Sequence, residues 1–456
     1  MSLTRRRFTG LALTSMAMGC LAAAVRAADP QQSPPTARGY GPLLADPLGL
    51  LDLPAGFTYR VISTAGERMS DGFVVPDNFD GMGCIALGNG QLALVRNHEL
   101  GPAALDKGPS GGDAALLARL AKLPAFDRDN SGRVLPGGTT TLVYDPSSGR
   151  VQSQWLSLSG TATNCAGGTT PWGSWLSCEE SVVGMPEVGR PHGWVFEVAA
   201  TAQKPAEPIA LQGLGRFRHE AAAIDPDTGI AYLTEDREDS LLYRFLPERP
   251  GNLAAGGRLQ ALALVDGLRD SRNWVAAYQR QGAWNTVRWI DLDGVDSPQD
   301  DLRLRGAEQG ALIFARGEGI HMGRDANGQQ ELYFCCTSGG AGRYGQVQRL
   351  QLGAAAGADR LQLFLESTDP QRFDYGDNIT VAPWGHLVIC EDRTGKKVNH
   401  LRAITPAGAL YTIARLNADT ELAGACFSPD GTTMFVNAYA PGRTLAITGP
   451  WRSVLV

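Results

Sequence analysis

The 456-residue chain is poor in charge, in histidine and in long uninterrupted runs of any kind: 19% of its residues are charged and six are His. Each shortage excludes something. The leading apolar run, Leu11–Ala24, is shorter than the roughly 20 residues a bilayer span requires, and Gly and Thr interrupt it. No basic tract exists and the net charge is −6, which argues against a nucleic-acid partner. Few long amphipathic stretches occur, which argues against a helical bundle. The cysteine spacings match no zinc ribbon, and no side-chain nucleophile motif is present. What the chain has in quantity is turn residues, 56 Gly and 27 Pro in a 43% hydrophobic sequence, and these point to a turn-rich β protein with a large core.

The first 27 residues read as an export signal rather than as part of the fold. Thr4-Arg5-Arg6-Arg7-Phe8 precedes the weakly apolar run, and the small residues around Val25-Arg26-Ala27 follow it. This is the twin-arginine pattern, with cleavage expected near Ala27 and the twin-arginine translocase as a partner during export. An uncleaved anchor or a lipid-modified Cys20 fits the flanking residues less well. The expected product is periplasmic or secreted, without stable membrane association, and monomeric. Removing 1–27 removes four arginines and no acid, which takes the net charge from −6 to −10. Seven cysteines remain, Cys84, Cys165, Cys178, Cys335, Cys336, Cys390 and Cys426, so at least one thiol is left unpaired whatever the compartment.

Residues 28–55 are Pro- and Gly-rich and are expected to wrap the outside as an arm. From there one pattern recurs: an apolar strand, a Pro/Gly/Asp turn, a second apolar strand, then acids or amides. It covers 82–99, 164–180, 219–236, 317–338, 377–392 and 423–439. Further apolar pairs follow most of these hairpins. Four strands repeated six times describe an all-β fold, a six-bladed β-propeller, rather than a sandwich, as one domain over 28–456. Insertions at about 101–135 and 248–310 break the spacing. They hold an expected short helix at Asp113–Leu123, a second at Asn273–Trp284, and an acidic, solvated loop at Asp291–Asp301.

In a propeller the first strand of each blade lines the channel, so the starts and ends of these hairpins share one mouth. The starts supply Asn164 and Cys165; Arg218, His219 and Glu220; Arg316 and Glu318; Asp377 and Asn378. The ends supply Asn97, His98 and Glu99; Glu179 and Glu180; Glu235 and Asp236; Glu391 and Asp392. So many carboxylates cannot all stay ionised without cations. Oxygen donors suit calcium, and a thiolate selects a transition metal. Strand alternation turns Glu179 away from Glu180. His98 and His219 read equally as ligands, proton donors or hydrogen-bonded core residues.

NCAGG, TPWGSWLSCEE, RHEAAAIDP with YLTED, RGEG, and YGDN with ICEDR resemble the PhoX-type alkaline phosphatases with the DUF839 domain, over roughly residues 40–450. The resemblance implies an exported six-bladed propeller that carries ferric and calcium ions and hydrolyses phosphate monoesters. It implies Cys165, Glu220 and Glu318 at the iron, with Glu220 and Glu318 in catalysis and Arg316 on the phosphate. It implies calcium ligands among Glu180, Glu99, Glu235, Asp236, Asp377, Asn378 and Glu391. Arg316 could equally pair with a blade acid. A calcium-dependent lactonase or esterase would use the same acidic mouth without needing Cys165, and a non-catalytic metal-binding propeller would use the metals only as structural staples.

Overall fold

Apolar and β-branched runs punctuated by Pro, Gly and Asp make short antiparallel hairpins, because each turn residue supplies a backbone conformation that the strands lack. The computed structural model describes residues 34–355, 357–393, 395 and 398–454. The export signal at 1–27 lies outside the described residues. The six hairpins are Phe79–Ala86 with Leu92–His98, Asn164–Thr169 with Ser174–Glu179, His219–Ile224 with Ala231–Glu235, Gly317–Arg324 with Gln330–Cys336, Gly376–Val381 with Leu387–Glu391, and Leu422–Phe427 with Thr433–Ala438. We call them hairpins one to six.

Their first strands pack side by side in cyclic order, one against two and onward to six against one. The approach is closer than side chains allow. A Cβ at Gly168 would lie 1.9 Å from the Ala222 carbonyl oxygen, and one at Gly424, whose φ is +61°, would lie 2.4 Å from that of Asp80. Glycine is therefore a packing requirement at these positions.

Outward from the ring the hairpins grow into five hydrogen-bonded sheets. Hairpin one continues through Gly137–Asp145 and Arg150–Thr161. Hairpin two gains only Val195–Ala199. Hairpin six gains Arg443–Thr448 and then Thr58–Thr64, so the N-terminal part of the chain completes the last sheet. Leu43–Leu44 and Leu51–Pro54 of the expected arm extend the sheet of hairpin five as strands. The architecture is all-β and propeller-like, although six separate four-stranded sheets are not what forms. Trp284–Asp291 pairs with Gly257–Leu264 on one side and Arg360–Glu366 on the other, and so fuses the sheets of hairpins three and four into nine strands.

Both insertions depart from expectation. The helix in the first, α1 (Ala114–Leu120), is shorter than Asp113–Leu123, because Asp113 is its cap and accepts from Leu116 N at 2.9 Å. Asn273–Ala283 is not helical; Asn273 has φ +56° and its amide donates to the Gln279 carbonyl and to Glu366. Gly257–Leu264 and Trp284–Asp291, within the second expected insertion, are sheet strands. Past it lies an unanticipated helix, α2 (Leu302–Glu308). The 291–301 acids are not simply solvated, since Asp300 pairs with both Arg237 and Arg303. All seven cysteines from Cys84 onward are free thiols. Among the described residues no helix is long and apolar enough to cross a membrane.

Candidate metal centre

Every hairpin slips register by one residue near the start of its first strand. Such a bulge re-aims a side chain. In hairpins one to five the bulge opens with Asp80, Cys165, Glu220, Glu318 and Asp377; in hairpin six Ala423 is still paired with Asn437 and the bulge opens one residue later, with Gly424. A second tier stands just beyond the second strands: Glu99, Glu180, Asp236, Thr337, Asp392 and Tyr439. In all six hairpins the backbone N–H of this residue donates to the carbonyl of the residue preceding the first strand, at 2.9 to 3.2 Å. Those preceding residues include Arg218, Arg316 and Glu421. The repeat thus stacks two tiers of chemistry-bearing residues at one mouth.

Potential ligand atoms of Glu99, Cys165 and Glu180 lie within 4.8 Å of one another, as do those of Glu220, Glu318 and Asp377. The Cys165 thiol joins the two groups, 3.2 Å from Glu220 Oε1 and 3.5 Å from Asp80 Oδ2. Asp236 is gripped by Arg316, with Nε and Nη2 donating at 2.7 and 3.0 Å, and Arg316 Nη2 also lies 2.9 Å from Glu318. Arg218 pairs with Glu180 at 3.1 Å. Asn378 acts on the backbone: its Oδ1 accepts from Gly424 N at 2.5 Å.

Two acids named from the sequence lie elsewhere. Glu235 and Glu391 are the last residues of their strands, so alternation turns them away from the mouth toward the neighbouring strands of their own sheets. Glu235 accepts from the Tyr243 hydroxyl at 2.7 Å, and burial pushes its pKa up to about 8. Glu391 is taken up by Arg402 at 2.7 Å and His400 at 2.8 Å. Their neighbours Asp236 and Asp392 face the mouth instead. Glu179 is fully occupied by His192 and by the backbone of Ala162, Gly193 and Trp194. His98 bonds Asp77 O and Thr140, and His219 bonds Gly215 O and stacks on Phe217 at 3.6 Å. Burial lowers both imidazoles, His219 to about 3, so they are neutral core residues.

Asp80 and Glu421 were not anticipated. The sequence repeat for hairpin one began at Met82, whereas the strand begins at Phe79. Had Phe79-Asp80-Gly81-Met82 been aligned with His219-Glu220-Ala221-Ala222, Asp80 would have fallen beside Glu220. Glu421 precedes its strand and had no acid in register to mark it.

Nine carboxyls, Asp80, Glu99, Glu180, Glu220, Asp236, Glu318, Asp377, Asp392 and Glu421, meet two arginines here. Burial, then mutual repulsion, holds Asp80, Glu180 and Glu220 well above the usual carboxylate range, and Asp377 at about 7. Glu318 and Glu421 are raised for the same first reason. Burial also raises the Cys165 thiol, with Asp80 and Glu220 adding to it. Asp236 goes the other way: although burial opposes it, Arg316 brings it below its ordinary value. Asp80 Oδ1, Glu220 Oε2 and Asp392 Oδ1 are buried without any hydrogen-bond partner. Buried acceptors left open in an acidic cluster match sites for cations. The donor set, several carboxylates and one thiol, fits metal ions.

The bulges are themselves held. Asn97 Nδ2 donates to the Cys165 and Ala166 carbonyls at 3.0 and 2.7 Å, and its Oδ1 accepts from Trp175 Nε1 and Ser177. Asn437 does the same for the Asp80 carbonyl at 2.6 Å, and Thr234 for that of Glu318 at 2.5 Å. Asn97→Ala leaves two buried carbonyls and an indole N–H unpaired. The expected cost is about 2–4 kcal/mol of stability, with weaker metal retention, read by thermal unfolding and by metal content after dialysis.

The opposite end of the channel opens into a cavity of about 310 Å³ lined by residues such as Met82, Ile320, Val381 and Phe427, with no carboxylate among them. On the acidic side, a second cavity of about 320 Å³ borders Asp236, Arg218 and Arg316. Chemistry therefore belongs to the acidic mouth.

The fold resembles that of Pseudomonas fluorescens PhoX, solved in complex with vanadate: 18% identity over 92% of this chain and 97% of that one, TM-score 0.65. A gluconolactonase from Xanthomonas campestris matches more loosely, at 13% identity over 90% and 98% of the two chains, TM-score 0.39. No curated protein matches by sequence. The family described as alkaline phosphatase PhoX matches residues 38–442. The chain belongs to the alkaline phosphatase PhoX family and is a metal-dependent phosphatase.

Proposed function

We propose that the acidic mouth holds iron at Cys165, Glu220 and Glu318, and calcium among Glu99, Glu180, Asp236, Asp377 and their neighbours. There it hydrolyses monoesters of a small phosphate substrate. One observation carries the choice of metals. A buried thiol within 3.5 Å of two carboxylates supplies the soft ligand of a transition metal, while the remaining donors are oxygens suited to calcium. The ions would supply Lewis-acid charge to the phosphoryl oxygens. Arg316 is held in place by Asp236 and Glu318 yet keeps 29% of its side chain exposed, so it can donate to an equatorial oxygen as negative charge develops. Arg218, paired with Glu180, keeps 35% of its side chain exposed.

The vanadate bound by the Pseudomonas fluorescens relative is a transition-state analogue, and its use there supports carrying phosphoryl transfer over to this mouth. The cyclic order of the hairpins supports reading the ring as six blades. The twin-arginine pattern of residues 1–27 supports export to the periplasm through that translocase. We take the protein as a monomer. The test is elemental analysis of the purified protein together with turnover of p-nitrophenyl phosphate. Iron and calcium together with turnover are expected; calcium without iron, and no turnover, overturns the assignment.

A further inference from the structure

The 320 Å³ cavity beside the acidic mouth is of a volume that takes a small ligand, and its wall departs from the usual apolar lining of such sites. Among the described residues every side chain around it is charged. Four are arginines and three are acids. Its inner edge is Arg218, Asp236 and Arg316, which border the metal-ligand cluster. Its outer wall comes from the loop after hairpin three, with Arg237 and Asp239, and from α2, with Arg303.

The charges of that outer wall are balanced. Asp300 pairs with Arg237 at 2.5 Å and lies 3.5 Å from Arg303 Nη1. Arg303 Nε also bonds Asp239 at 2.9 Å. Glu238 is matched by Arg343 at 3.3 Å. Arg237 and Arg303 face Asp300, Asp239 and, at 3.9 Å, Glu235, so nothing in the wall calls for a second anion. Among the described residues no apolar or aromatic side chain lines the cavity. What remains is an alternation of strong donors and strong acceptors with partly exposed tips: Asp239 is 40% and Arg237 29% exposed. A carboxylate that accepts beside a guanidinium that donates matches neighbouring hydroxyl groups, each of which does both.

We infer that the wall beside the mouth receives the hydroxyl groups of the leaving alcohol, and that the enzyme prefers sugar or polyol phosphates to simple aryl phosphates. This rests on the phosphatase reading given above. The inner arginines take the phosphoryl group, and the outer wall orients the hydroxyls. A site built to hydrogen-bond hydroxyls also discriminates strongly against analogues that lack them.

The experiment compares kcat/KM for glucose 6-phosphate and for phenyl phosphate in the metal-loaded protein, in the wild type and in Asp239→Ala and Arg237→Gln. Taking each ratio relative to wild type cancels the different intrinsic reactivity of the two esters. The ratio of glucose 6-phosphate to phenyl phosphate is expected to fall at least tenfold in both variants, mainly through KM for the sugar ester. An unchanged ratio with phenyl phosphate still turned over overturns this inference and leaves the phosphatase reading intact. Loss of both activities in the wild type overturns the reading itself, and the inference with it.

Discussion

Cys165→Ser is expected to lower phosphate monoester turnover at least a thousandfold, about 4 kcal/mol in the barrier, and to leave the protein without iron. The thiol sits between the two ligand groups, 3.2 Å from Glu220 and 3.5 Å from Asp80. Burial, followed by those two acids, raises its pKa, so the thiolate forms there only when a cation displaces the proton. Serine keeps the shape and the hydrogen bonds but offers an oxygen that deprotonates far less readily and is a harder donor. Packing should survive, because the bulge is fixed through the Cys165 and Ala166 carbonyls by Asn97 and not through sulfur. The thermal midpoint of the metal-free variant should therefore match that of metal-free wild type. Full turnover in Cys165→Ser would falsify a role for the thiol and favour a calcium-only centre.

The second large effect is the pH dependence of the metal-free protein. Asp80, Glu180, Glu220 and Glu318 titrate in the folded state well above their unfolded values, and Asp377 at about 7. Between pH 4 and the raised pKa values the folded state binds more protons than the unfolded one. Stability must therefore fall as pH rises through that window. Each unit of upward shift corresponds to about 1.4 kcal/mol. The chelated protein should be most stable in mild acid and lose stability progressively up to pH 7 and beyond, by several kcal/mol in sum. Bound cations remove the cause, because they replace the protons. Thermal unfolding at pH 5 and pH 8, with and without chelator, separates the two states. The metal-loaded protein should be the more stable at pH 8, and the gap should narrow toward pH 5. A chelated protein equally stable at both pH values would show that the cluster is not strained in the absence of metal.

Much of this was legible in the chain. Six hairpins with one grammar, acids at their ends and a cysteine at the start of one were sufficient to expect an all-β ring with an acidic mouth. Alternation was legible too, and separated Glu180 from Glu179. Applied equally to Thr234-Glu235-Asp236 and Cys390-Glu391-Asp392, it would have chosen the second acid of each pair. The failures were of another kind. The recurring apolar pattern places the start of hairpin one at Met82, three residues after the strand begins, which hides Asp80. The helix expected at Asn273–Trp284 is irregular chain leading into a strand, and the acids before α2 are tied to arginines of hairpin three.

The sequence by itself determined the period, the turns and the residue types, because these follow from local backbone preference and from two-residue alternation along a strand. The tertiary structure decided which donors meet. A one-residue bulge repeated in every first strand directs Asp80, Cys165, Glu220, Glu318 and Asp377 toward a common centre, although they are scattered over almost 300 residues of chain. Ring closure, which no local signal encodes, brings the first blade against the last and places Glu421 among the acids of the others. Only there does burial add to mutual repulsion and raise the carboxyls of Asp80, Glu180, Glu220, Glu318, Asp377 and Glu421 and the Cys165 thiol.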